Sequence, residues 1–298
     1  MELEDLKKVS IKDIEEHKLI KNIDLVKDIK KLREFDVSTN KNSFCGNSFL
    51  YHHQLKNLLN CKRENGLTIY ELFKDTKKWE KLLESTLQRN RKGKTIAGNV
   101  WECFRINLGS VVMFKSITAK YLYKKYNATA VLDPTAGWGG RMLGAWALDI
   151  DYTGIDTNIN MKGAYDNMIN FLYNFELFES NSKLEMLWED ALTVDFAKIN
   201  YDFVLTSPPY VNLEIYENMT TWDSDKAFYT KFLIPLIKKC RKHIKNNGNV
   251  CFNISPKMYE DALSFGLYEC DEEEDLKQQM GDSNKKQDKI YIWKNKSK

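Results

Sequence analysis

The sequence predicts an α/β protein in which helices cover both faces of a parallel sheet, preceded by a basic and mostly helical region. Three observations carry this. Beyond residue 100, short apolar runs alternate with helical sequence; a glycine-rich turn separates the first of these runs from its helix; and before residue 100 the apolar residues recur only at three- and four-residue spacings. With 298 residues, 43% of them apolar and 29% charged, the chain can bury one large core and a smaller one, which excludes a disordered or fibrous protein. No stretch approaches the ~18 apolar residues of a membrane span, and the acidic start Met1-Glu2-Leu3-Glu4-Asp5 is unlike a secretion signal, so an intracellular location is expected. Six cysteines without a CxxC pair, beside four histidines, read as reduced thiols and spell out no metal site.

The elements follow in order. Residues 2 to 35 read as helix, because Ile11, Ile14, Leu19, Ile20, Ile23, Val26 and Ile29 recur at helical spacing, with Ser10 and Asp13 as a start signal. Ser38 to Ser43 is loop-like, and a short helix is expected around Leu55 to Leu59, followed by an Asn65-Gly66 turn. Two further helices come next, one opened by the capping pair Thr68 and Glu71 and one burying Trp79, Leu82, Leu83 and Leu87. A helix through Ile117 to Tyr126 leads into a buried strand, Ala128 to Asp133, and after the glycine-rich turn comes the apolar helix Met142 to Leu148. Further strands are expected at Tyr152 to Asp156, Leu184 to Leu187, Tyr201 to Leu205 and Asn249 to Ile254. Gly266 to Glu269 and Lys289 to Trp293 read as the antiparallel edge of the same sheet, with Asp271 to Asp275 as a solvated hairpin tip between them. The domains divide as 1–98, helical and basic, and 99–298, containing the sheet.

Charge is uneven along the chain. The first 100 residues hold 21 of the 45 Lys and Arg but 15 of the 42 Asp and Glu, and Arg89, Arg91, Lys92 and Lys94 lie within six consecutive positions. Such a cluster is either a solvated helix end or a surface for phosphates.

Chemistry concentrates in three places. The turn Asp133-Pro134-Thr135-Ala136-Gly137-Trp138-Gly139-Gly140-Arg141 joins the first strand to its helix, where an α/β sheet binds its ligand. Its glycines allow close backbone approach and are expected to leave amides free at the helix start, while Asp133 is an acceptor suited to an ammonium or hydroxyl. Trp138 either covers the ligand or plugs the joint between helix and sheet. Asp156, 23 residues after Asp133, stands at the tip of the next strand, where a carboxylate grips the two hydroxyls of an adenosine ribose. The absence of GxGxxG and GxxxxGK[ST] patterns argues against NAD and ATP. Finally, Thr206-Ser207-Pro208-Pro209-Tyr210 ends a strand in a rigid corner able to hold a planar amine between the Ser207 side chain and the Pro208 carbonyl while Tyr210 stacks on the attached ring.

Taken together, these motifs resemble the S-adenosylmethionine-dependent amino-methyltransferases that methylate exocyclic amines of nucleic-acid bases, mostly in DNA. The pattern is similar to that of phage and large-virus DNA methylases, which share an Ala-Gly-Trp-Gly-Gly-Arg loop, a Thr-Ser-Pro-Pro-Tyr corner and a downstream Glu-x-Tyr. The resemblance covers roughly residues 100 to 298 and implies a seven-stranded Rossmann-like methyltransferase sheet. It implies that Asp133, Thr135, Ala136, Gly137, Trp138 and Gly139 form the methionine-side cofactor motif, with Asp156 on the ribose and Asp190 on the adenine edge. Lys115, in Phe114-Lys115-Ser116, corresponds to a cofactor-flanking motif that usually reads Lys-Pro, a proline this chain lacks. Ser207, Pro208, Pro209 and Tyr210 would be the catalytic motif, and Glu214 and Tyr216 would line the target pocket or pack the loop after the corner.

The implied chemistry is direct methyl transfer to a flipped-out base. No Pro-Cys dipeptide exists to support the covalent route at ring carbon five. Serine at the first motif position points to N4 of cytosine ahead of N6 of adenine. Too little chain follows the last expected strand for a recognition domain, so nucleic-acid contact falls on the N-terminal region, with Lys62, Arg63, Arg89, Arg91, Lys92 and Lys94 as phosphate contacts. Two alternatives stand beside DNA methylation: a methyltransferase for RNA or a protein amide nitrogen, and an inactive DNA-binding subunit of the same fold.

Overall fold

The computed structural model describes residues 2–19, 21–38, 43–62, 66–89, 91–108, 111–174, 182–209, 222–275 and 288–296. Seven helices come first: α1 (Leu3–Lys7), α2 (Ile11–Lys18), α3 (Asn22–Glu34), α4 (Asn47–Asn60), α5 (Ile69–Lys74), α6 (Thr76–Arg89) and α7 (Ile96–Asn107). The single helix expected over 2 to 35 is three. Ser10 and Leu19 take extended backbone, and the Ser10 side chain and the Asp13 carboxylate each accept the other's backbone amide, so a new helix starts where the heptad-like pattern runs on unbroken. Thr68 and Glu71 form the expected capping box of α5. The helix expected at Leu55 to Leu59 begins instead at Asn47, because the Asp28 carboxylate of α3 accepts the amides of Gly46 and Phe49 at 3.0 Å and caps α4 from a distance.

Then follow α8 (Ser116–Lys125), β1 (Ala130–Asp133), α9 (Gly140–Trp146), β2 (Asp151–Ile155), α10 (Lys162–Tyr173), β3 (Leu184–Leu187), β4 (Phe203–Thr206), α11 (Asp225–Phe228), α12 (Ile234–His243), β5 (Asn249–Ile254), α13 (Pro256–Ser264), β6 (Glu272–Asp275) and β7 (Lys289–Lys294). The strands form one seven-stranded sheet in the order β3-β2-β1-β4-β5-β7-β6, parallel except for β7 and its partners. This is the seven-stranded Rossmann-like sheet that was expected, with a helical extension at its N-terminal side. β1 and β4 are neighbours whose chains leave in opposite directions, which opens a crevice at their C-terminal ends.

The division expected after residue 98 falls within a helix. α7 runs across that position, and its Val100, Trp101 and Phe104 close a core with Leu6, Ile14, Leu59 and Leu83. Leu25, Ile29 and Leu32 of α3 and Phe49 and Leu50 of α4 instead join the core of the sheet, beside Ile117, Leu143, Trp146 and Met168. The buried Lys120 ammonium locks this union, donating to the carbonyls of Leu32, Arg33 and Phe35 at 2.7–2.9 Å. These close α3 as a C-cap would. Burial, with the nearby cations, pulls Lys120 down to about 8.

The acidic run expected at a hairpin tip is itself strand β6, and Gly266 to Glu269 is coil. Cations from two elements, α8 and β7, make an acidic strand tolerable: Lys294 reaches Glu272 at 2.8 Å, Lys125 reaches Glu274 at 2.8 Å and Lys289 reaches Glu273 at 2.9 Å. The Lys294 ammonium, aided by the Tyr126 hydroxyl and Lys125, holds the Glu272 carboxyl down at about 2, below its usual 4.5. A depressed carboxyl stabilises the fold above its unfolded pKa and loses that contribution as pH falls through the folded one. Glu272→Gln is therefore expected to be less stable by about 1 kcal/mol at pH 7, solvent screening included. The gap in urea midpoint should close between pH 4.5 and 2; a gap independent of pH would show that the charge contributes nothing.

Candidate active site

The crevice is organised around a carboxylate that does not face it. Asp133, at the end of β1, is fully buried. Its Oδ2 accepts from Arg141 Nε and from the Tyr152 hydroxyl, both at 2.7 Å, and its Oδ1 accepts from Thr206 Oγ1 at 2.8 Å. The expectation of an acceptor open to a ligand is corrected here: Asp133 is fully buried and three donors of the chain itself satisfy its two oxygens, as burial of a charge requires. Arg141 in turn donates to the Thr135 carbonyl and lies over the Phe114 ring at 5.2 Å. Thr206 also bonds the Thr135 hydroxyl at 2.6 Å, so the last residue of β4 ties the glycine-rich turn to the Ser207-Pro208-Pro209 corner.

The turn's amides are used in the same way. Thr135 N–H goes to Thr206 Oγ1 (3.1 Å), Ala136 N–H to the Ile155 carbonyl (2.9 Å) and Gly137 N–H to Asp156 Oδ2 (2.8 Å). These three amides, which precede the start of α9 at Gly140, fix the loop, because a buried donor must be satisfied. The Tyr165 hydroxyl holds the opposite side through the Gly137 carbonyl at 2.9 Å. Glycine is demanded at three positions: Gly137 and Gly139 have φ +58° and +89°, and a Cβ at Gly140 would lie 1.9 Å from the Phe114 carbonyl oxygen.

A cavity of about 230 Å³ occupies the crevice. Thr135, Ala136, Gly137, Trp138, Asp156 and Asp190 line one part of it, and Ser207, Pro208 and Pro209 another. Trp138 lines the cavity and is at the same time packed in the sheet's core. Asp156 is the most perturbed carboxyl here: burial, together with the Asp133 charge, pushes it above its ordinary 3.8, while the Asn158 and Gly137 amides pull the other way. A carboxylate has about four lone-pair positions, and these two amides take only two. With Glu189 and Asp190 also on the wall, this part of the cavity is acidic and rich in acceptors, a fit for a cationic ligand bearing hydroxyls.

Not every expected residue reaches the cavity. Lys115 is buried with its ammonium 4.4 Å from the Phe44 ring, and Gly139 sits against Met168, so neither contributes to the wall. Tyr210, Glu214, Tyr216 and Arg63 lie outside the described residues. Arg89, Arg91, Lys92 and Lys94 are exposed at the end of α6 and in the turn after it, but Arg91 and Lys94 both pair with Glu102 of α7. Two of the four cations thus carry a compensating charge that the sequence distance hid. Lys18 of α2, with Lys94 and Arg105, forms a further cationic group beside His17: burial first, then the neighbouring cations, brings Lys18 to about 8 and lowers His17, which favours the neutral imidazole. Lys18 lies 4.6 Å from the Trp101 ring.

Phe114, rather than Lys115, brings the flanking motif to the wall, and sequence reasoning missed Val112, Met161, Trp222, Phe232, Asn253 and Asp288, which also line it. None carries a local signature. Asn253 arrives because β5 pairs in parallel with β4, in the register Thr206↔Phe252, which sets the end of β5 beside Ser207. Among the described residues, no group of His, Cys, Asp and Glu could hold a metal ion, and no helix is long and apolar enough to cross a membrane.

No family model and no curated protein matches the chain. Among solved structures it is similar to a Listeria monocytogenes protein assigned to the class I S-adenosylmethionine-dependent methyltransferases, with 11% identity over 92% of this chain and 88% of that one and a TM-score of 0.46. It is also similar to an RNA methyltransferase from Salinibacter ruber in complex with S-adenosyl-L-homocysteine (13% identity, 63% of this chain and 95% of that one, TM-score 0.39) and to TrmN from Thermus thermophilus (13% identity, 70% of each chain, TM-score 0.40).

Proposed function

We propose that this protein is an S-adenosylmethionine-dependent methyltransferase acting on an exocyclic amine of a DNA base, N4 of cytosine ahead of N6 of adenine. One observation carries the reading: the Ser207-Pro208-Pro209 corner shares a single cavity with the acidic wall of Asp156 and Asp190. When bound, S-adenosylmethionine supplies an electrophilic methyl group on a sulfonium. Asp156 would accept the ribose hydroxyls and Asp190 would meet the adenine edge, while the turn from Thr135 to Trp138 would cradle the remainder. Lys115, Gly139 and Asp133 would support this surface from behind.

An exocyclic amine conjugated with its ring is a poor nucleophile, because its lone pair is delocalised. Ser207 Oγ and the Pro208 carbonyl would each accept one of its protons, biasing the nitrogen toward tetrahedral geometry and turning its lone pair out of the ring. Pro209 stiffens the corner, and Tyr210 would stack on the base. The proton departs after transfer, so no strong base is required. Because the amine is paired in duplex DNA, the base must be flipped out, with Glu214 and Tyr216 at the target pocket. Arg89 and Lys92, joined by Lys62, Lys18 and Arg105, would hold phosphates, whereas Arg91 and Lys94 would have to exchange Glu102 for them.

Purified protein incubated with methyl-labelled S-adenosylmethionine and unmodified duplex DNA, then digested and analysed by mass spectrometry, should yield labelled 4-methylcytosine or 6-methyladenine. Ser207→Ala should lower the yield about 100-fold or more. Product on RNA alone would replace the DNA reading, and label on no nucleic acid would overturn it.

A further inference from the structure

Asn253 is a buried carboxamide in a strand that is otherwise apolar from Val250 to Ile254. Only 6% of its surface is exposed, it lines the cavity, and its Oδ1 has no partner among the described residues. A buried amide with an unpaired oxygen is costly, and packing gives no reason to keep one where a leucine would fit. Its other end explains it. Asn253 Nδ2 donates to Ser207 Oγ at 3.2 Å, and the Ser207 hydroxyl faces the Asn253 backbone carbonyl at 3.5 Å.

A serine hydroxyl carries one proton and two lone pairs, and left to rotate it donates or accepts with equal ease. At Ser207 the carboxamide fills one lone pair and the carbonyl draws the proton away, so a single lone pair remains for the cavity. We propose that Asn253 is a positioning residue that makes Ser207 a dedicated acceptor, so that this site receives a substrate N–H and rejects a keto or ether oxygen at the same place. The inference rests on the functional reading above and deepens it. The target position would be specified as a neutral, N–H-bearing amine by Asn253, a residue outside the Ser-Pro-Pro-Tyr motif.

A double-mutant cycle tests it. Asn253→Leu should lower kcat about tenfold, the factor lost with one hydrogen bond of ordinary strength, and leave KM for the cofactor unchanged. Added to Ser207→Ala, it should cost nothing more, since the group it positions is gone. Urea unfolding of the same four proteins without cofactor gives a second readout: Ser207→Ala should shift the midpoint in the wild-type background, where it strands the carboxamide, and not in the Asn253→Leu background. If Asn253→Leu does not fold, the smaller Asn253→Ala, which lacks the donor and adds no new partner for Ser207, carries both cycles. Additive losses in either readout would reduce Asn253 to packing and overturn the proposal. A wild type that methylates no amine would overturn the functional reading and this inference with it; an active wild type with additive losses overturns this inference alone.

Discussion

Asp133→Ala is expected to cost about 3–5 kcal/mol of folding stability, because it leaves the Arg141 guanidinium buried without its counter-charge. Two hydroxyls, Tyr152 and Thr206, lose their acceptor at the same time. The loss should appear as a lower urea midpoint with little change in slope. It should also weaken cofactor binding, since Arg141 and Thr206 hold the Thr135 carbonyl and hydroxyl in place. The double substitution Asp133→Leu with Arg141→Met should recover much of the stability, because replacing both members of a buried pair by apolar groups of similar volume is often neutral. A cost below about 1 kcal/mol for Asp133→Ala would mean that the pair is not what holds the turn.

Asp156→Asn is expected to weaken S-adenosylmethionine binding about 100-fold, as the loss of a charged acceptor serving two hydroxyls implies, while the fold survives. Asparagine keeps one oxygen for the Gly137 or Asn158 amide, so the turn retains an anchor that alanine would remove. The pH dependence separates this role from a structural one. Burial raises the Asp156 carboxyl above 3.8, so its protonated form persists to higher pH than an ordinary aspartic acid allows. The ionised form is the better acceptor, so wild-type affinity should climb as pH rises through that shifted pKa, while the asparagine variant stays flat. The sign for stability is the reverse: a carboxyl raised on folding favours the native state at low pH and loses that contribution as pH rises through its folded pKa. Calorimetric titration across mildly acidic pH measures the affinity arm, and a wild-type profile as flat as the variant's would remove Asp156 from the ribose contact.

Much of the architecture could be read from residue order. The strands at Leu184 to Leu187 and Asn249 to Ile254 were expected with the bounds they have, and those at Ala130 to Asp133, Asp151 to Ile155 and Phe203 to Thr206 lie within a residue or two of expectation. They were legible because a strand buried on both faces must be a short continuous apolar run, and helical sequence must lie between parallel strands. The acidic strand Glu272–Asp275 was not legible. Its stability comes from Lys125, Lys289 and Lys294, which approach it from α8 and from β7.

The same division runs through the site. Asp156, the turn from Thr135 to Trp138 and the Ser207-Pro208-Pro209 corner were recognisable because each is a local device: a carboxylate at a strand tip, glycines that permit close approach, prolines that stiffen a corner. Their convergence on one cavity follows from the parallel order of β2, β1 and β4, which brings all three strand ends to one edge. The sequence by itself determined the α/β class, the site-bearing loops and the residue types that they carry. Only the tertiary structure decided that Asp133 faces inward, that Glu102 holds Arg91 and Lys94, and that Asn253 meets Ser207. Burial and pairing between residues far apart in the chain depend on what lies across the interface, and no local pattern encodes that.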